Sequence, residues 1–167
     1  VESVLKAAGL STRSFYRHFS KKTDLLLALL EMQMADAAVR VRRLTETATR
    51  PAEKVDAYVA GILDMAYIES LANRASLYSA HWRELLSDYP ETIQQCTEQM
   101  IAPLAEALAE GAERGELSSD DPHADARTIF FLVASVTADY ATMRGATARA
   151  QVEQILLPFI RRTIGRR

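Results

Sequence analysis

Apolar residues recur along the chain at helical intervals, and the interruptions divide it into a series of helices. Val1, Val4, Leu5 and Ala8 follow an i, i+3, i+4, i+7 pattern that Gly9 ends. No capping residue precedes Val1, so the chain is expected to be a fragment whose first helix lies upstream. A second helix is expected from Ser11 or Thr12 to Phe19. A long third helix, capped by Ser20, is expected to reach Thr47, with Leu25, Leu26, Leu29, Leu30, Ala37, Val41 and Leu44 on one stripe. Thr49, Arg50 and Pro51 mark the next break. Beyond it the pattern predicts helices over about 52–72, 74–87, 90–114, 122–144 and 148–164. The stretch Ile129 to Met143 is apolar nearly all round. The last helix carries Val152, Ile155, Leu156, Phe159, Ile160 and Ile164 on one face.

Composition sharpens this into an all-α fold. Among 167 residues there are 27 alanines but only six glycines and five prolines, a balance that favours helix over sheet. Hydrophobic residues make up 49% and charged residues 25%, as in an ordinary globular protein. The chain divides into a head with a linker helix, residues 1–47, and a larger helical domain, residues 48–167. The longest apolar runs, Leu25 to Leu30 and Ile129 to Ala134, hold six residues each, against the roughly 20 of a membrane-spanning helix. No membrane partner is therefore expected. A lone cysteine, Cys96, excludes an intrachain disulfide and reads as a packed small residue, in keeping with a cytoplasmic location.

Charge is distributed unevenly. Residues 1–50 hold 9 basic and 5 acidic groups, whereas residues 51–167 hold 11 basic and 17 acidic, so a net charge of −2 splits into +4 and −6. Between Leu10 and Thr23 there are four cations, Arg13, Arg17, Lys21 and Lys22, interleaved with Phe15, Tyr16, His18 and Phe19, and no acid. Such a stretch is a candidate phosphate-binding surface, although a merely solvated helix face is the ordinary reading of a charge run.

Spacing favours the first reading. Gly9-Leu10-Ser11 is suited to joining two crossing helices: glycine takes the left-handed conformation, Leu10 fills the space between them and Ser11 caps the next. At about 100° per residue, Phe15 and Phe19 share the inward face of that helix and Arg13 and Arg17 lie opposite. Thr12 and Tyr16 flank the arginines on one side, Ser14 and His18 on the other. A two-turn helix is unstable alone and must be docked.

The run Gly9-Leu10-Ser11-Thr12-Arg13-Ser14-Phe15-Tyr16-Arg17-His18-Phe19, followed by Lys22, Leu25 and Leu26, closely resembles the helix-turn-helix of tetracycline-repressor-family (TetR) transcriptional regulators. The resemblance covers about residues 1–30 and implies a role for each matching position. Thr12, Arg13 and Ser14, behind the Ser11 cap, would touch base edges, with Arg17 a further contact. Tyr16, His18 and Lys22 would hold backbone phosphates, Lys22 helped by the positive end of the helix it begins. Lys21 departs from the family, which commonly has a small capping residue there. The family's partners are double-stranded operator DNA and a small-molecule effector of unknown identity. The long third helix would be a pendulum that moves when effector binds.

The larger domain is less informative. Aromatic and methionine residues at helical spacing are usually plain core. The family, however, places its effector pocket among these helices, which makes Tyr58, Met65, Tyr78, Trp82, Met100 and Phe131 candidate lining residues. Pro103, in mid-helix, should kink its helix. The two C-terminal helices carry more apolar surface than one core uses. The family forms homodimers through them, so Val136, Tyr140, Val152, Ile155, Leu156, Phe159 and Ile160 are candidate interface residues.

An enzyme is not expected. His81 and Glu84 share a helix face but do not close a metal site, and His123 beside Asp120 and Asp121 reads as a solvated loop. No phosphate-cradling glycine loop, HExxH or GxSxG occurs. Neither a cofactor nor a metal is implied. The expected function is a ligand-responsive transcriptional regulator, most often a repressor that releases a palindromic operator. The alternative is an all-α small-molecule-binding or scaffold protein whose basic helix meets a protein partner.

Overall fold

The computed structural model describes Gly9 and residues 11–67, 81, 83–141 and 146–165, and it is all-helical apart from turns and one isolated bridge. Helix α1 spans Thr12–His18 and α2 Lys22–Glu46; α3 is Pro51–Tyr67, α4 Pro90–Glu113, α5 Pro122–Ala141 and α6 Ala146–Ile164. Residues 83–88 are also helical. Helices α3, α4 and α5 each begin on a proline, whose fixed φ and missing N–H suit a first turn. Asp121 completes the start of α5 by accepting the amide of Ala124 at 3.0 Å.

Helix α3 lies at the centre, packed against α2, α4, α5 and α6. Its Val55, Tyr58, Val59, Ile62 and Leu63 are all buried, and join Val41, Ile101, Leu104, Leu108, Val133, Val152, Leu156 and Ile160 in the main core. Gly61 permits the close approach of α2, since a Cβ there would stand 3.0 Å from Leu44 Cδ1. A second, separate core lies nearer the head, where Leu26 and Leu30 of α2 meet Leu85 and Ile93. Met34 is packed against both.

Helix α4 runs without interruption through the buried Pro103 to Glu113, and Gly115, just beyond its Arg114 cap, has φ +66°. The chain then folds back, the amides of Glu116 and Leu117 both reaching the Gly111 carbonyl at 2.8 and 3.0 Å. Leu117 thereby covers Gly111, and the amide of Ser118 ties this turn to the end of α6 through the Ile164 carbonyl at 2.7 Å. Ion pairs tie neighbouring helices together from outside, notably the two-bond pair Arg42–Glu106 between α2 and α4 and Arg161–Asp56 between α6 and α3. No described helix is long and apolar enough to cross a membrane.

Among the described residues the helix boundaries follow the sequence pattern closely, with one correction; the expected helix over residues 1–8, the plug at Leu10, the break at Asn73 and the end near 144 lie outside them. Ser20 does not cap the long helix. Its amide and that of Lys21 are instead both accepted by Asp24 Oδ2, at 2.8 and 3.0 Å, so the cap is an acid reaching back from the first turn.

Candidate nucleic-acid interface

Gly9 has φ +64°, the left-handed conformation that the turn before α1 requires. Ser11 then caps α1: its hydroxyl accepts the Ser14 amide at 3.1 Å and donates to the Ser14 hydroxyl at 3.1 Å. The two serines are therefore engaged with each other, and Ser11 serves first as a cap. Phe15 is the buried residue of α1, with Tyr16 edge-on at 5.1 Å and Phe19 at 5.4 Å between ring centroids.

On the opposite side Thr12, Arg13, Tyr16, Arg17 and His18 are all exposed, Tyr16 by 60%, and Ser14 is half-buried. A phenol this open beside two guanidinium groups can donate to an anion without first being uncovered. Arg17 Nη2 lies 3.3 Å from the His18 ring nitrogen, while Arg13 and Lys22 have no ion-pair partner among the described residues. The face thus holds free cationic donors at helical spacing.

The start of α2 is less open to an anion than a bare helix end would be. Asp24 already occupies the amides of Ser20 and Lys21, and Lys21 is paired with Asp88, so of the two lysine side chains at this end the exposed Lys22 is the one left for an approaching phosphate. The Tyr89 phenol, followed by the amides of Lys21 and Ser20, holds the Asp24 carboxyl below its ordinary range, so it remains charged in that position. Asp24, Asp88 and Tyr89 were not among the sequence-based candidates. An acid three residues into a helix was a readable cap signal for Asp24, whereas nothing local pointed to Asp88 or Tyr89.

Residues 1–29 match the family model described as bacterial regulatory proteins, tetR family. The head is tetR-type. Solved structures share the fold of nearly the whole chain. NemR of E. coli in its reduced form is 22% identical, with 99% of this chain and 86% of that chain covered and a TM-score of 0.75. A putative transcriptional regulator from Saccharomonospora viridis in complex with choline is 19% identical over 99% and 86%, with a TM-score of 0.80. FadR of Bacillus subtilis in complex with stearoyl-CoA is 14% identical over 95% and 85%, with a TM-score of 0.74. At these identities the likeness is one of fold. No curated protein sequence matches the chain.

Behind the tetR-type head, the candidate pocket residues separate. Tyr58 and Met100 are buried together in the main core, and the Tyr58 hydroxyl donates to the Met100 carbonyl at 3.0 Å. Burial pushes that phenol well above its ordinary range. Met65 is half-buried at the edge of the same core. Phe131, expected in the pocket, is 44% exposed on the outer surface of α5 with the Arg127 guanidinium 5.7 Å from its ring centroid. Tyr78 and Trp82 lie outside the described residues.

The candidate interface residues separate in the same way. Ile155 and Phe159 are 52% and 48% exposed, but Val152, Leu156 and Ile160 face the protomer's own core. Of the candidates on this helix, Val152, Leu156 and Ile160 are thus buried within the protomer and only Ile155 and Phe159 are left open to a partner. The stripe is wide enough that one edge is absorbed by α3 and α5 and the other is left outside. Val136 is half-buried against the main core, and the side chain of Tyr140 lies outside the described residues.

Proposed function

We propose that the protein is a dimeric, ligand-responsive transcriptional regulator that binds a palindromic operator and releases it when a small molecule occupies the helical domain. The observation that carries this reading is the exposed, unpaired Arg13 on a capped, docked two-turn helix, flanked by Tyr16, Arg17 and His18, in a segment that matches the tetR family. Arg13 is positioned to read a guanine edge, with Thr12, Ser14 and Arg17 beside it. Tyr16, His18 and Lys22 hold phosphates and set the register.

The dimer is proposed to form through α5 and α6, whose exposed Phe131, Ile155 and Phe159 are large apolar side chains left uncovered in one protomer. A two-fold pair would present two copies of α1 to major grooves about one turn, ~34 Å, apart. Proteins of this fold were solved in complex with choline in one case and with stearoyl-CoA in another, which supports a small-molecule effector without naming it. The site chemistry is that of a binding protein, not an enzyme.

Selection of bound duplexes from a random DNA pool by the full-length protein tests the proposal. A palindrome with a steep salt dependence is expected, because each neutralised phosphate releases counterions. Failure of a folded dimer to enrich any sequence would overturn it. On the selected site, Arg13→Ala should relax sequence preference at one position by roughly 1–3 kcal/mol, while Tyr16→Phe weakens binding to all sequences alike. Equal effects of both substitutions on every sequence would contradict these roles.

A further inference from the structure

The turn after α1 and the first turn of α2 are joined to the rest of the protein by contacts between residues far apart in the chain. Asp24 has three partners: Oδ2 accepts the amides of Ser20 and Lys21, and Oδ1 accepts the hydroxyl of Tyr89. Lys21 on the same turn pairs with Asp88 and lies 5.3 Å from the Tyr89 ring centroid. Tyr89 is itself held by backbone on both sides, its amide donating to the Leu85 carbonyl at 2.9 Å and its carbonyl accepting the Ile93 amide at 3.0 Å. Beneath these polar contacts lies the small second core of Leu26, Leu30, Leu85 and Ile93. Only Phe19, Ser20 and Lys21 separate α1 from α2, and Asp24 holds the amides of two of them.

We propose that Tyr89 is a positioning residue for DNA binding: by holding Asp24 it fixes the turn between α1 and α2, and with it the orientation of Arg13, Arg17 and Lys22 on the body of the protein. This rests on the DNA-binding reading above. Tyr89 touches no DNA in this scheme. Its hydroxyl removes alternative orientations of the head that would otherwise have to be lost on binding, and affinity falls in proportion to the fraction of molecules left in the competent orientation.

Tyr89→Phe keeps the ring over Lys21 and removes only the hydroxyl. Two measurements are made on the full-length protein: amide hydrogen exchange of the free protein, and affinity for the selected duplex over a range of salt. Exchange should quicken several-fold at residues 19–26 and stay unchanged in α3 and α5. Affinity should fall about tenfold with an unchanged salt slope, because no phosphate contact is lost, whereas Lys22→Ala should lower the slope by about one. The double variant Asp24→Ala, Tyr89→Phe should bind no more weakly than Asp24→Ala alone, since the Tyr89 hydroxyl acts through the Asp24 carboxylate. Wild-type exchange at 19–26 together with wild-type affinity would overturn the proposal, as would additive losses in the double variant. Quickened exchange spread evenly over the whole protein would also overturn it, by showing general destabilisation. If the wild-type protein selects no DNA, the regulator reading fails, while exchange in the free protein still decides whether Tyr89 orders the turn.

Discussion

Phe159→Ala and Leu156→Ala, three residues apart on α6, should fail in different ways. Phe159 is 48% exposed and Leu156 2% exposed. A phenylalanine has roughly 200 Å² to bury, so nearly half of it leaves about 95 Å² per protomer for a partner to cover. At about 25 cal/mol per Å² that area is worth about 2.4 kcal/mol per protomer and, because a two-fold interface uses the residue twice, nearly 5 kcal/mol per dimer. Truncation to alanine keeps the β-carbon, so about 4 kcal/mol should be lost, which weakens dimerisation roughly a thousandfold. Leu156 contributes to the protomer core instead, and its truncation should cost about 2–5 kcal/mol of folding stability with the cavity it leaves. Sedimentation equilibrium across a wide concentration range, with thermal unfolding followed by circular dichroism, separates the two. Phe159→Ala should be a helical monomer at concentrations where the wild type is a dimer, and Leu156→Ala a dimer with a lowered Tm. A Phe159→Ala protein that stays dimeric at the lowest measurable concentration would refute the assignment of this face.

Three further outcomes are expected. Gly111→Ala should destabilise the fold by about 1–3 kcal/mol in denaturant titration, because the new Cβ would stand 2.4 Å from Leu117 Cδ1 and force the turn after α4 outward; an unchanged midpoint would show that Leu117 yields freely. Cys96 should resist thiol reagents until the protein unfolds, since it is 6% exposed and burial, aided by the charge of Glu31, pushes its thiol up; labelling of the native protein at the rate of a free thiol would contradict this. Glu106 is held below its ordinary 4.5 mainly by the side-chain hydrogen bond with Arg42, so the pair contributes stability that is present above that value and lost as pH falls through the lower folded-state value. Glu106→Gln should therefore flatten the acid side of the profile of Tm against pH, and an identical profile would argue against the pair.

What could be read from the sequence was what short spacing encodes. Gly9, Ser11 and the Phe15–Phe19 pair are neighbours whose roles depend on one turn and one helix, and each occupies the conformation or face that its spacing predicts. The apolar stripes placed α2 to α6 because burial follows the helical period. A stripe does not reveal which of several partners covers it. For that reason Leu156 and Phe159, equivalent in pattern, went to opposite sides of the protomer surface, and Phe131 went to the exterior of α5 while Tyr58 went to the centre. The contacts around Asp24 were the least legible. Tyr89 is 65 residues from Asp24, and Asp88 is 67 from Lys21, so the pairs exist only once α2 has been laid against α4. Their placement has a consequence for the pendulum expected of α2. The helix is held to the α4 side at both ends, by Lys21 and Asp24 near the head and by Arg42 on Glu106 beyond its middle, with Leu26 and Leu30 buried between. A swing of α2 alone would have to break an ion pair and a charge-assisted hydrogen bond at one end or a two-bond ion pair at the other. Movement of α2 together with α4 as a whole breaks neither. A ligand that shifts the head must therefore prefer one placement of that joined pair against α3, because a ligand with equal affinity for both placements shifts nothing.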